Sequence, residues 1–172
     1  PIAFGARKIN PEDEPKYLNS AESAIFSKSR TLYGLNLAKR EVIAKRCAIV
    51  TEGYTDVIAC HQAGFTNVVA TLGTALTREH AQILSRLCDR IILLFDGDEA
   101  GQKAGSRGFE VLPSHFGLAA FLHEKVDIQV CVLPDDLDPD ELLKQPDGAD
   151  RFNSALHQSR DVLGFVFDRF SA

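Results

Sequence analysis

Arg90-Ile91-Ile92-Leu93-Leu94-Phe95-Asp96-Gly97-Asp98-Glu99-Ala100-Gly101 decides how this chain folds. An unbroken apolar run from Ile91 to Phe95 fits a strand buried on both faces. It stops abruptly at two aspartates separated by a glycine. Working outward, the same alternation recurs. Toward the N-terminus, Asn67–Thr71 reads as a strand, and Thr77 caps a helix whose Ala81, Leu84, Leu87 and Cys88 follow the 3.6-residue period. Before that, Cys47–Thr51 is a short β-branched run, and Thr55 is expected to cap a helix carrying Val57, Ile58 and Ala59 that Gly64 ends. Toward the C-terminus, a helix is expected from about Glu99 to Leu112 and a fourth strand from Val126 to Leu133. Strands alternating with helices imply βαβ units, a parallel sheet covered on both faces, and therefore a doubly wound α/β fold. Ligands of such folds lie outside the carboxyl ends of the strands.

The flanks read differently. Residues 1–45 mix turns with a helix near Leu35–Lys45 and are expected to belong to a partner subdomain. Residues 146–172 carry Leu156, Val162, Leu163, Val166, Phe167 and Phe170, consistent with helices packed on the core. Charge divides along the same line. Residues 1–46 hold nine Lys/Arg against five Asp/Glu, whereas residues 47–172 hold ten against nineteen. A basic segment joined to an acidic one suggests one surface for phosphates and another for cations.

With 172 residues, 45% of them hydrophobic, the chain can bury a sizeable core. No apolar stretch approaches the roughly 20 residues that cross a bilayer, so no membrane partner is expected. The chain begins at Pro1 and contains no methionine, so a piece of a longer protein is expected. Cys47, Cys60, Cys88 and Cys131 form no C-x-x-C pair. They read as buried reduced thiols, which implies a cytoplasmic location. The histidines at 61, 80, 115, 123 and 157 show no ligand spacing, and no Walker loop is present.

The carboxyl ends of three strands carry acids. Strand one runs into Glu52-Gly53-Tyr54-Thr55-Asp56, strand three into Asp96-Gly97-Asp98-Glu99, and strand four into Asp135-Asp136-Leu137-Asp138-Pro139-Asp140-Glu141. Two like charges about 4 Å apart repel by about 4 kcal/mol at an effective dielectric of about 20. A hard divalent cation removes that penalty, and oxygen ligands select Mg²⁺ or Mn²⁺. Gly97 is expected to leave room for a phosphate or metal to approach the backbone. Structural alternatives stand beside this one. Asp98 and Asp138 can serve as helix N-caps, with Pro139 at the first helical position, and Asp56 can be a first-turn acid favoured by the helix dipole.

Glu52-Gly53-Tyr54-Thr55-Asp56, Ala70-Thr71-Leu72-Gly73-Thr74-Ala75-Leu76-Thr77, Phe95–Gly101 and Asp138-Pro139-Asp140 together resemble the Toprim core of DnaG-type bacterial primases. Phe4-Gly5-Ala6-Arg7, Pro15–Ser20 and Phe26–Gly34 resemble the segment that precedes Toprim in these enzymes, so the likeness spans nearly the whole chain. The resemblance implies a Toprim fold with a parallel four-stranded sheet flanked by helices. It divides the chain into the end of an N-terminal basic subdomain (1–45), the Toprim domain (46–145) and a C-terminal helical segment (146–172).

The resemblance also implies an activity: synthesis of RNA primers on single-stranded DNA by metal-assisted nucleotidyl transfer from ribonucleoside triphosphates. It assigns Glu52, Asp56, Asp96 and Asp98 to catalysis and Glu52, Asp96, Asp98, Asp138 and Asp140 to two or more Mg²⁺ or Mn²⁺ ions. Arg7, Lys16, Tyr17, Asn19 and Lys28 fall to nucleotide or nucleic-acid binding. Zinc and the replicative helicase are expected only at domains outside this chain, which is itself expected to be monomeric and of little activity alone. The alternatives are another Toprim enzyme, such as a topoisomerase or nuclease, or a non-catalytic nucleotide- or nucleic-acid-binding module.

Overall fold

The apolar run at Arg90–Phe95 is the central strand of a five-stranded sheet in the computed structural model. The structure describes residues 1–10, 12, 14–15, 17–74, 76–97, 126–161 and 164–165. In chain order, two short strands, β1 (Gly5–Arg7) and β2 (Tyr17–Asn19), form an antiparallel ladder. A 3₁₀ turn at Lys28–Arg30 leads to α1 (Leu35–Lys45). Then come β3 (Cys47–Thr51), α2 (Tyr54–Gln62), β4 (Val68–Ala70), α3 (Arg78–Ser85) and β5 (Arg90–Phe95). After them follow β6 (Asp127–Val132), α4 (Pro139–Leu143), α5 (Gly148–His157) and β7 (Arg160–Asp161). The helix expected over Glu99–Leu112 lies outside the described residues.

The sheet order is β4-β3-β5-β6-β7. The first four strands run parallel, as expected, and β7 adds an antiparallel edge. That two-residue strand falls in a segment whose apolar spacing suggested helices alone. Pairing of Arg160 with Val130 places it there, and α5 supplies the helical part.

Alternating side chains of each strand feed two cores, because successive residues of a strand point to opposite faces. Ile91 and Leu93 of β5 join Val50, Ala38 and Val42 of α1, and Ala81 and Leu84 of α3 on one face. Ile92 and Leu94 join Ile49, Val57 and Cys60 of α2, Leu142 of α4 and Phe152 of α5 on the other. Phe152 is fully buried, its ring 4.6 Å from that of Phe65. The N-terminal part is tied to the sheet edge at Tyr33 and Ala70, whose amides exchange hydrogen bonds of 2.8 and 3.1 Å.

Local signals act largely as the residue types dictate. Thr77 Oγ1 accepts from the His80 amide at 3.2 Å, and the His80 ring accepts in return from the Thr77 amide, closing a capping box. Gly64 (φ +92°) follows α2, and the amides of Gly64 and Phe65 bond to His61 and Cys60 in a Schellman arrangement. The start of α2 corrects an expectation. Its N-cap is Gly53, in extended conformation, and Thr55 lies inside the first turn. Asp56, three residues after the cap, folds back onto the Gly53 amide and takes over the capping. Cys60, Cys88 and Cys131 are buried free thiols, and Cys47 is half-buried and also free. Burial pushes the Cys88 thiol up to about 11 and the Cys131 thiol up to about 12, so both are protonated.

Candidate functional site

From β3 the chain crosses to one side to make β4, then to the other to make β5. The direction of winding therefore reverses between β3 and β5, and a crevice opens there outside the strand ends. Glu52 is the first residue after β3, and Asp96 the first after β5. The strands are in register with Val50 opposite Leu93, so Glu52 falls level with Phe95, one residue before Asp96. Two carboxylates thus leave neighbouring strands, which lie about 4.8 Å apart, at the switch point. Glu52 is exposed and Asp96 half-buried. Asp98 lies outside the described residues.

Asp56 brings the third acid, from the first turn of α2. Its carboxyl is pushed up to about 7, chiefly by burial and then by the negative charge of Asp138. A hydrogen bond from the Gly53 amide opposes the shift, and Asp140 and Glu52 add to it. A Cβ at Gly53 would stand 2.7 Å from Asp56 Oδ2, so a larger residue there would make that carboxylate shift. Four of the proposed acids therefore share one electrostatic field. Among the described residues no three acidic, histidine or cysteine side chains are grouped so that they could hold a metal ion.

Asp138 and Asp140 have structural partners as well. Asp138 caps α4: Oδ1 accepts from the Glu141 amide at 2.7 Å, with Pro139 at the first helical position. Asp140 pairs with Lys144 one turn on, at 2.6 Å. The capping alternative for Asp138 is thus realised, and the bond uses Oδ1.

Gly97 corrects another expectation. The space that a side chain would take is filled by the protein's own backbone. A Cβ there would stand 2.6 Å from Asp136 Cα and 2.9 Å from the Leu133 carbonyl. Its amide donates to the Leu137 carbonyl at 3.3 Å. The glycine lets the loop after β5 seat against the loop after β6, leaving no room for a ligand on that side.

The hairpin of β1 and β2 leans on the N-terminus of α2. The Tyr17 ring meets Tyr54 edge-on at 5.7 Å, Tyr54 meets Tyr33 at 5.6 Å, and the Arg7 guanidinium lies 5.8 Å from the Tyr17 ring centre. Tyr17 Oη is 3.5 Å from Thr55 Oγ1. Asn19 approaches Gly5 and Gly73. Tyr17 is therefore packed on the first turn of α2, with Arg7 against its ring and Asn19 near Gly5 and Gly73. Lys28 belongs to another element, the turn that packs on α3 through the 2.6 Å bond from Thr77 Oγ1 to the Ser29 carbonyl. Lys16 lies outside the described residues. Arg151 is not singled out by sequence, and Tyr54 and Thr55 are read there only as part of the motif and as a helix cap. Packing gives Tyr54 and Thr55 their contacts with Tyr17, and Arg151 its contact with Asp135.

The Toprim-like family profile matches residues 49–143, more than half of the chain, and that of the DNA primase catalytic core, N-terminal domain, matches residues 1–39. The chain belongs to the Toprim-like family of DnaG-type primases. A DNA primase of Clostridium acetobutylicum is 40% identical over 168 residues, 98% of this chain and 26% of that protein. The crystal structure of a DNA primase domain from Pseudomonas aeruginosa superposes with a TM-score of 0.81 at 38% identity, covering 98% of this chain and 50% of that one. A DnaG primase catalytic domain bound to ssDNA gives 0.78 at 36% identity, covering 97% and 51%. The chain thus spans about a quarter of its curated relative and half of these solved domains. Divalent metal use belongs to the family generally. No helix among the described residues is long and apolar enough to cross a membrane.

Proposed function

We propose that this chain is the metal-dependent catalytic centre of a DNA primase, which copies single-stranded DNA into short RNA primers. The observation that supports this is the exit of Glu52 and Asp96 from neighbouring strands at the β3–β5 switch point, with Glu52, Asp138 and Asp140 all adding negative charge to the surroundings of Asp56. The donor set fits a hard divalent cation, Mg²⁺ or Mn²⁺, because every candidate ligand is an oxygen. Burial is the main cause of the rise of Asp56 to about 7, and the smaller part contributed by the charges of Asp138, Asp140 and Glu52 is one that a cation would relieve. Glu52, Asp96 and Asp98 would hold the ion nearest the chemistry, with Asp56, Asp138 and Asp140 completing further positions. When bound, the metal supplies charge neutralisation for the triphosphate and activation of the attacking hydroxyl.

The reaction is nucleotidyl transfer: a 3′-hydroxyl attacks the α-phosphorus of a ribonucleoside triphosphate and pyrophosphate leaves. Arg7, Lys16 and Lys28 would hold triphosphate or template backbone, while Tyr17 and Asn19 stack or hydrogen-bond beside them. The solved relative bound to ssDNA supports a single-stranded template for this chain as well. Zinc binding and helicase contact are assigned to the remainder of the polypeptide, and the enzyme to the cytoplasm. A topoisomerase needs a nucleophilic tyrosine, and Tyr17, Tyr33 and Tyr54 are packed against one another, with Tyr54 Oη buried. The test is Asp96→Asn in the complete primase. Template-directed ribonucleotide incorporation should fall by at least about 100-fold while the circular dichroism spectrum is unchanged. Undiminished incorporation would overturn the assignment.

A further inference from the structure

The loop after β6 seats the backbone of Asp136 directly over Gly97, so the position of the Asp96 loop depends on the shape of that turn. The turn is unusual. Asp135 (φ 61°) and Asp136 (φ 55°) are both left-handed, a conformation that L residues other than glycine adopt only at a cost and rarely in succession. It sits two residues before the Asp138 cap and is hydrogen-bonded to the Asp96 loop through Gly97 and Leu137. Something must hold it.

The holding group is Arg151, on α5. Its guanidinium donates to the carboxylate of Asp135 and, through the other terminal nitrogen, to the side-chain carbonyl of Gln145. Asp147, the residue before α5, stands 3.9 Å away. The Arg151 side chain is 27% exposed whereas that of Asp135 is 71% exposed, so the anchor is the sheltered partner and the turn the loose one. α5 is itself fixed to the core by the fully buried Phe152, the next residue. A rigid helix thus reaches, through one forked cation, a strained turn that seats the acid loop.

We propose that Arg151 is a positioning residue for the carboxylates at the switch point: it fixes the Asp135–Asp136 turn, which presses on Gly97 and so sets where Asp96 points. This rests on the metal-dependent reading of the site. Partners that orient metal ligands typically contribute 10–100-fold in metal affinity or activity. Lysine, a point charge without the planar fork, should replace arginine only in part.

The experiment measures Mn²⁺ binding to the full chain by its thermal stabilisation across a Mn²⁺ titration, for wild type, Arg151→Ala, Arg151→Lys and Asp135→Asn. Template-directed synthesis by the complete primase is followed across the same Mn²⁺ range. Arg151→Ala should move the Mn²⁺ midpoint up by about 10-fold, Arg151→Lys by less, and Asp135→Asn by about as much as Arg151→Ala. The double variant Arg151→Ala/Asp135→Asn should be no worse than either single one. Synthesis at saturating Mn²⁺ should largely recover, a split that general loss of structure does not give. Asp135 is exposed, so its variant keeps the test open if Arg151→Ala unfolds. If wild type binds Mn²⁺ and the midpoints of Arg151→Ala and Asp135→Asn both stay at the wild-type value, the positioning role alone is overturned. Wild type unmoved by millimolar Mn²⁺ would overturn the metal assignment, and this role with it.

Discussion

Replacing Asp56 by asparagine should make the metal-free protein more stable at alkaline pH and change little at acid pH. The carboxyl has an ordinary pKa of 3.8 and is raised to about 7 in the folded state, chiefly by burial and next by the charge of Asp138. The sign follows from which state loses its proton first. Below about pH 4 the group is protonated folded and unfolded, and contributes nothing. Between about 4 and 7 the unfolded chain ionises while the folded one does not, so stability falls as pH rises. Above about 7 both are ionised and the full penalty remains. At about 1.36 kcal/mol per pKa unit the penalty approaches about 4 kcal/mol, less whatever local relaxation returns. Asparagine has no charge to bury, and its side-chain oxygen can still accept from the Gly53 amide. For a chain of this length about 4 kcal/mol corresponds to a midpoint difference on the order of 10 °C. Thermal unfolding in EDTA at pH 4.5, 6 and 8 checks this. The variant should exceed wild type least at pH 4.5 and progressively more toward pH 8, and Mg²⁺ should narrow the gap by stabilising wild type more than the variant. A difference independent of pH would refute the reasoning, because it would place the effect in packing and not in ionisation.

Three further outcomes follow from other contacts. Gly97→Ala should cost about 2–3 kcal/mol in urea unfolding, since the new methyl would meet the backbone of Asp136, which cannot step aside as a flexible side chain could. Asp138→Asn and Asp138→Ala should separate capping from charge. Asparagine keeps the bond to the Glu141 amide and costs little stability, whereas alanine loses about 1 kcal/mol in thermal unfolding. Both should weaken Mn²⁺ binding in the same titration. Thr77→Ala should cost about 1–2 kcal/mol, measured by urea unfolding, because the hydroxyl both caps α3 and donates to Ser29 in the turn carrying Lys28.

The alternation of strands and helices was legible because β3, β4 and β5 are buried on both faces and are therefore largely apolar, as in Ile91–Phe95 and Cys47–Val50. Caps with a side chain of their own, Thr77 and Asp138, were legible for the same local reason. What escaped is set by distant partners. β1, β2 and β7 are two or three residues long, and their pairing is decided by packing and not by pattern. Thr55 looked like the cap of α2, but Asp56 reaches the amide from inside the helix. Gly97 looked like room for a ligand, because sequence does not show that Asp136, 39 residues on, occupies that space. The acids were readable as strand-end residues. That Glu52 and Asp96 leave neighbouring strands at the switch point needed the strand order, which no single segment encodes.

The most direct measurement is an anomalous difference map from crystals soaked in Mn²⁺, with and without a ribonucleoside triphosphate. The expected result is density between the strand ends of β3 and β5, bounded by Glu52 and Asp96, stronger when the triphosphate contributes oxygens. Ordered carboxylates with no peak in either soak, at millimolar Mn²⁺, would contradict the assignment of this crevice as a catalytic metal centre.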